Sequence, residues 1–139
     1  MNEYLFDEIQ IGHVVEFMYD IDENKMQMFR EISGDTNPLH NDLDYANERG
    51  YSEKVVYGQL TAAVLSTLAG VYMPGKYSLI HSIETSFAAP VFVSKCPLRV
   101  VAKVKDKDER FRYIVLKVDI FDTSGVKVCK SKMKIGVLK

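Results

Sequence analysis

Apolar side chains recur at every second position from Val15 through Phe17 and Tyr19 to Ile21, a period of two that predicts a half-buried strand. The period then lengthens. Met28, Phe29 and Ile32 fall at helical spacing, Asp22 can cap a helix over Glu23–Ile32, and Ser33-Gly34 supplies the glycine at which such a helix stops. The run NDLDYANERG that follows His40 predicts a second, short helix: Asp42 and Asp44 lie early, Arg49 lies late, and Gly50 comes just after. His40 then stands at its entrance. From Gly58 the segment QLTAAVLSTLAGVY is apolar nearly all round, with Leu60, Val64, Leu65, Leu68 and Val71 among small Ala62, Ala63, Ala69 and Gly70. Such a helix is expected to be buried.

Beyond Met73-Pro74-Gly75 the pattern returns to strands, expected over 77–87, 98–105, 112–121 and 126–137, with turns at 106–110 and 122–125. Ile114, Leu116, Val118 and Ile120 give the clearest alternation. One strand, then helices, then four strands in succession predict an α+β fold: an antiparallel sheet wrapped around a central buried helix. No repeat or low-complexity segment interrupts it.

Composition narrows the function classes. At 139 residues, 47% hydrophobic and 27% charged, the chain reads as a single domain over 1–139 with a sizeable core. Eighteen basic side chains against nineteen acidic ones leave a net charge of -1 and no dense basic run, so nucleic acid is not an expected partner. The N-terminal MNEYLFDEIQIG has acids where a signal peptide carries positive charge, and no apolar run is long enough to span a bilayer. A cytoplasmic protein without membrane association is therefore expected. Cys96 and Cys129 are far apart and outside any CxxC or Cys/His cluster, which argues for reduced, buried thiols and against zinc.

The candidate chemistry lies in FREISGDTNPLHNDLDYA, residues 29–46, where Asp35 and His40 flank Asn37-Pro38. Pro38 fixes its own φ and drives Asn37 toward extended backbone, so residues 34–40 should bend and not continue a helix. Two readings follow. Asp and Asn beside Pro are ordinary turn and cap residues. A carboxylate and an imidazole turned into one pocket can also move protons near neutral pH, since their unperturbed pKa values are about 3.9 and about 6.5.

The order Phe29, Ile32-Ser33-Gly34-Asp35, Asn37-Pro38-Leu39-His40 and Ala46 resembles the signature of the (R)-specific enoyl-CoA hydratases, the MaoC-like dehydratase group of the hotdog fold. The likeness continues through VVYGQLTAAVLSTLAG and SFAAPVFV, covering most of the chain from Phe29 to Val93. It implies reversible syn hydration of trans-2-enoyl thioesters, carried on coenzyme A or acyl carrier protein, to (3R)-3-hydroxyacyl thioesters. Asp35 and His40 are implied to hold and activate water, and the backbone N–H of Gly58 to bind the thioester oxygen as charge develops. A helix N-terminus suits that task, although read alone Gly58 is a tight strand-to-helix junction. Ser66 is implied to orient the active-site groups, and equally reads as a small helix residue bonding its own backbone. Asn37 holds the bend. No metal or redox cofactor is implied, and the family likeness implies a homodimer with the acyl tunnel near its interface.

Tyr57 stands where many relatives carry His, and Ser94-Lys95 replaces a common Gly-Asp pair. The first change suggests no catalytic role, and the second bears on the shape of its loop and leaves the motif intact. His13 and His81 lack a carboxylate partner, and Lys130, Lys132 and Lys134 read as a solvated sheet face. Two alternatives share the fold: a hotdog thioesterase, whose water attacks the thioester carbonyl, and a non-catalytic acyl-thioester binding module.

Overall fold

The computed structural model describes all residues from Met1 to Lys139. Five strands, β1 (Val14–Tyr19), β2 (Ser78–Phe87), β3 (Leu98–Asp108), β4 (Tyr113–Phe121) and β5 (Lys127–Val137), form one antiparallel sheet in the order β1-β3-β4-β5-β2. Alternation sets its two faces. Leu98, Val100, Ala102 and Val104 of β3 and Ile114, Leu116, Val118 and Ile120 of β4 are buried in the core. On the other face Lys103, Lys117 and Lys132 stand opposite one another across β3, β4 and β5.

The core face closes on helix. α4 (Gly58–Ala62), α5 (Val64–Thr67) and a π-helical turn (Leu68–Tyr72) follow one another through residues 58–72, with Ala63 itself in helical backbone. Leu60, Val64, Leu65, Leu68 and Ala69 join the same apolar cluster as the sheet. Burying each of the four larger side chains contributes about 1.5–3 kcal/mol, so Leu60, Val64, Leu65 and Leu68 anchor the helix. The expectation of burial on all sides needs correction, because Gln59, Ala63, Ser66 and Val71 are exposed. Ala63 and Ala69 look alike in the sequence, and packing alone puts the first outside and the second in the core.

Earlier in the chain, α1 (Glu23–Ser33) has the expected ends: Asp22 accepts the Lys25 N–H at 2.8 Å, and Gly34 closes the helix at φ 72°. Its inward side differs from the expected one. Met26 is buried, whereas Met28 and Ile32 are 56% and 85% exposed. Met26 and Phe29 also stand at helical spacing, and packing chose that pair.

His40 does not open the second helix as the sequence suggested. Pro38 begins a single turn, α2 (Pro38–Asn41), and the chain is extended at Asp42 before α3 (Leu43–Glu48). Each short helix has its own cap, Asn37 accepting from Leu39 N–H and Asp42 from Tyr45 N–H.

β3 runs three residues further than its expected end at Lys105, through a bulge between Val104 and Asp106. Lys107 there donates to the carbonyl oxygens of Phe6 and Ile9 at 2.9 and 2.7 Å, which ties the N-terminal segment to the sheet. β2 lies at the sheet edge, paired with β5 alone. Leu79, Ile80, Ile83 and Phe87 on it are all exposed. Cys129 is fully buried on β5, and burial pushes its thiol up to about 11. Cys96 is half-buried, its thiol also raised, chiefly by burial. No helix is long and apolar enough to cross a membrane.

Candidate active site

The loop 34–37 and the one-turn α2 fix the motif. Asp35 is half-buried; its Oδ1 accepts the Asn37 N–H at 2.9 Å and its own N–H donates to Ser33 Oγ at 3.1 Å. The turn chemistry is thus realised, and one carboxylate oxygen is committed to it. Asn37 also holds the turn from the other side, its carbonyl accepting from the Asn41 side-chain amide at 2.8 Å.

His40 is held at one end only. Its Nδ1 lies 2.7 Å from the carbonyl oxygen of Val55. A carbonyl only accepts, so Nδ1 carries the proton and, in the neutral ring, Nε2 keeps its lone pair. The ring is backed by Tyr57, with centroids 4.3 Å apart, and Tyr57 in turn packs on Phe29 at 4.8 Å.

Tyr57 is the residue that sequence reasoning passed over. Its side chain is buried, and its hydroxyl donates to the Asp35 carbonyl oxygen at 2.8 Å and accepts from the Asn41 side-chain amide at 3.1 Å. One phenol therefore touches the Asp35 loop, α2 and the His40 ring. Its place before Gly58 was visible, but a tyrosine's reach across 22 residues of chain to Asp35 was not.

A pocket of about 320 Å³ is lined by His40, Gly58 and Thr61, with Tyr51, Val55 and the strand-to-loop segment 87–91 opposite. It brings together two of the expected residues, the imidazole and the glycine. The Gly58 N–H has no hydrogen-bond partner in the chain. A methyl group on Gly58 would lie 3.3 Å from the Phe87 ring, so the glycine keeps the backbone approachable from the pocket. Asp35 does not line this pocket, and no hydrogen bond joins its carboxylate to His40.

Ser66 lies two turns along the helix on the exposed side, in a neighbouring hollow of about 440 Å³ with Ala62, Ala63, Ile80 and Ile83. Phe87 borders both hollows. No hydrogen bond links Ser66 to Asp35 or His40. No cluster of three or more His, Cys, Asp or Glu side chains suited to a metal ion occurs.

A curled antiparallel sheet around one helix, with its pocket at that helix's N-terminus, defines a hotdog domain. The family model described as MaoC like domain matches residues 8–126, and the chain belongs to that family. The match stops before β5, although β5 lies inside the sheet between β4 and β2. Over 88 residues the chain is 30% identical to the (R)-specific enoyl-CoA hydratase of Rhodospirillum rubrum, covering 63% of this chain and 61% of that protein. It is 24% identical over 107 residues to a mitochondrial 3-hydroxyacyl-[acyl-carrier-protein] dehydratase of Arabidopsis thaliana, covering 77% and 63%. The matched region thus spans less than two thirds of these relatives. The solved structure of the (R)-hydratase from A. caviae involved in PHA biosynthesis superposes with a TM-score of 0.87 at 26% identity, covering 93% of this chain and 97% of that one.

Proposed function

We propose that the protein catalyses reversible hydration of trans-2-enoyl thioesters, on coenzyme A or acyl carrier protein, to (3R)-3-hydroxyacyl thioesters, and that residues 1–139 act as one domain. The observation that carries this reading is the shared pocket of His40 and Gly58, with the imidazole presented through Nε2. In hydration, His40 Nε2 takes the proton of a water in the pocket as the oxygen bonds to C3, with the free carboxylate oxygen of Asp35, from outside the pocket lining, as that water's second partner. The electron pair of the double bond moves toward the thioester, and the Gly58 N–H receives the charge on its oxygen. The proton on Nε2 then passes to C2 on the same face, and dehydration reverses each step. Ser66 supports the site from the adjoining hollow, and Asn37 keeps the loop in its turn. Membership of the MaoC-like family and the activities named for the relatives support the substrate class.

The working unit is a homodimer in this reading. β2 has one unpaired edge, and Ile80 and Ile83 on it face the open hollow beside Ala62 and Ala63. An edge strand carrying exposed Ile and Phe is the kind of surface that a second copy covers.

Incubation with crotonyl-CoA tests the reaction. Loss of the conjugated double bond without free thiol is the expected result; thiol release marks a thioesterase, and binding without either signal marks a binding module. Either of the last two results would remove the hydratase reading.

A further inference from the structure

The pocket lining includes a buried hydroxyl that the mechanism above leaves unused. Thr61 is 1% exposed, lines the pocket with His40 and Gly58, and its Oγ1 has no hydrogen-bond partner. Threonine inside a helix ordinarily bonds the carbonyl four residues back. Here that carbonyl, of Tyr57, already accepts the N–H groups of Leu60 and Thr61, and the hydroxyl makes no bond to it. A buried hydroxyl without a partner opposes folding, so the group calls for a reason outside the free protein.

Geometry supplies one. Thr61 follows Gly58 by three residues, which puts both on the same face of the helix. Side chains in a helix lean toward its N-terminus, so Thr61 lies over the turn that Gly58 opens. Valine would fill the same volume without the orphaned hydroxyl. Resting on the hydratase reading, we infer that the Thr61 hydroxyl is a substrate-binding group: it donates a hydrogen bond to the same thioester oxygen that the Gly58 N–H faces. The thioester oxygen then has two donors, one from the backbone and one from a side chain. The hydroxyl is satisfied only when the acyl thioester is bound.

This assignment separates stability from activity in one experiment. In Thr61→Val the orphan is gone, and the thermal midpoint of the free protein is expected to rise by several degrees. The same variant is expected to lose about tenfold in kcat/KM on crotonyl-CoA, the weight of one hydrogen bond. It should also bind butyryl-CoA more weakly by a similar factor, since that probe keeps the thioester oxygen but has no double bond to hydrate. Thr61→Ser, which keeps a hydroxyl, should recover activity relative to the valine variant. A lowered midpoint in Thr61→Val shows a hydroxyl bonded within the fold and overturns the assignment. So does unchanged butyryl-CoA affinity together with unchanged turnover. Wild-type protein that leaves crotonyl-CoA unhydrated overturns the reaction itself, a result distinct from either of these.

Discussion

The Tyr57 hydroxyl donates to the backbone carbonyl of Asp35 at 2.8 Å, so the residue just before the pocket's glycine also holds the loop that carries the acid. Tyr57→Phe keeps the ring against His40 and removes this bond. It should cost about 1 kcal/mol in stability, the usual worth of one hydrogen bond. It should also lower kcat about tenfold with little change in KM, because the pocket wall is untouched. Melting curves and steady-state kinetics together check this; a stability loss with unchanged kcat would leave Tyr57 a structural residue only.

Asp35→Asn and His40→Ala should each reduce turnover by about 10²–10⁴-fold, the scale of a general acid–base group. Circular dichroism and crotonyl-CoA kinetics on the purified variants decide the matter. Folded variants with near-wild-type rates would end the assignment.

Gly58→Ala probes the backbone donor without removing it. Its Cβ would lie 3.3 Å from Cε1 and Cζ of Phe87, a half-exposed ring that has room to give. The fold should therefore keep its thermal midpoint within a few degrees while turnover falls sharply, since the methyl group crowds the approach to the N–H. Equal activity in the two proteins would show that substrate does not come close to this backbone.

For Cys129 the sign follows from burial, which raises the native thiol from its ordinary 9.0 to about 11. The folded state holds the proton more tightly than the unfolded one. Its contribution to stability is complete below pH 9 and is lost as pH rises through 11. Urea midpoints at pH 8 and pH 10.5 should thus fall further for the wild type than for Cys129→Ala. At pH 8 the native Cys129 should also resist a thiol reagent that modifies it readily in denaturant.

Ile83 is 43% exposed on the free edge strand. A lysine there is a device by which proteins keep such edges unpaired, so Ile83→Lys should turn a dimer into a monomer in sedimentation velocity. An unchanged sedimentation coefficient would exclude β2 as the contact.

Much of this was legible in the chain. The strands of the core wrote themselves as alternation, Asp22 and Gly34 marked the two ends of α1, and of the residues the family resemblance pointed to, His40 and Gly58 meet in one pocket while Asp35 stands outside it. What stayed hidden shares a physical cause. Which side of α1 faces inward is decided by packing against other elements, and Met26 offers no stronger local signal than Met28. The break between α2 and α3 arises because Asn37 and Asp42 can each cap a helix, a competition that propensity does not rank. The Val55 carbonyl that holds His40 is a backbone group, present at every residue and therefore silent in sequence. Thr61 looked like one more small helix residue until its hydroxyl was found without a partner.

The grip of Val55 on His40 has one more result. The hydrogen bond at Nδ1 is kept whether Nε2 is empty or protonated, because Nδ1 carries its proton in both forms, and it strengthens when the ring is charged. Its acceptor is uncharged, so no ionisation elsewhere loosens it. In the proposed hydration the imidazole would thus take a proton in one half of the cycle and return it in the other without turning its ring, like a valve whose stem stays fixed while flow through it reverses.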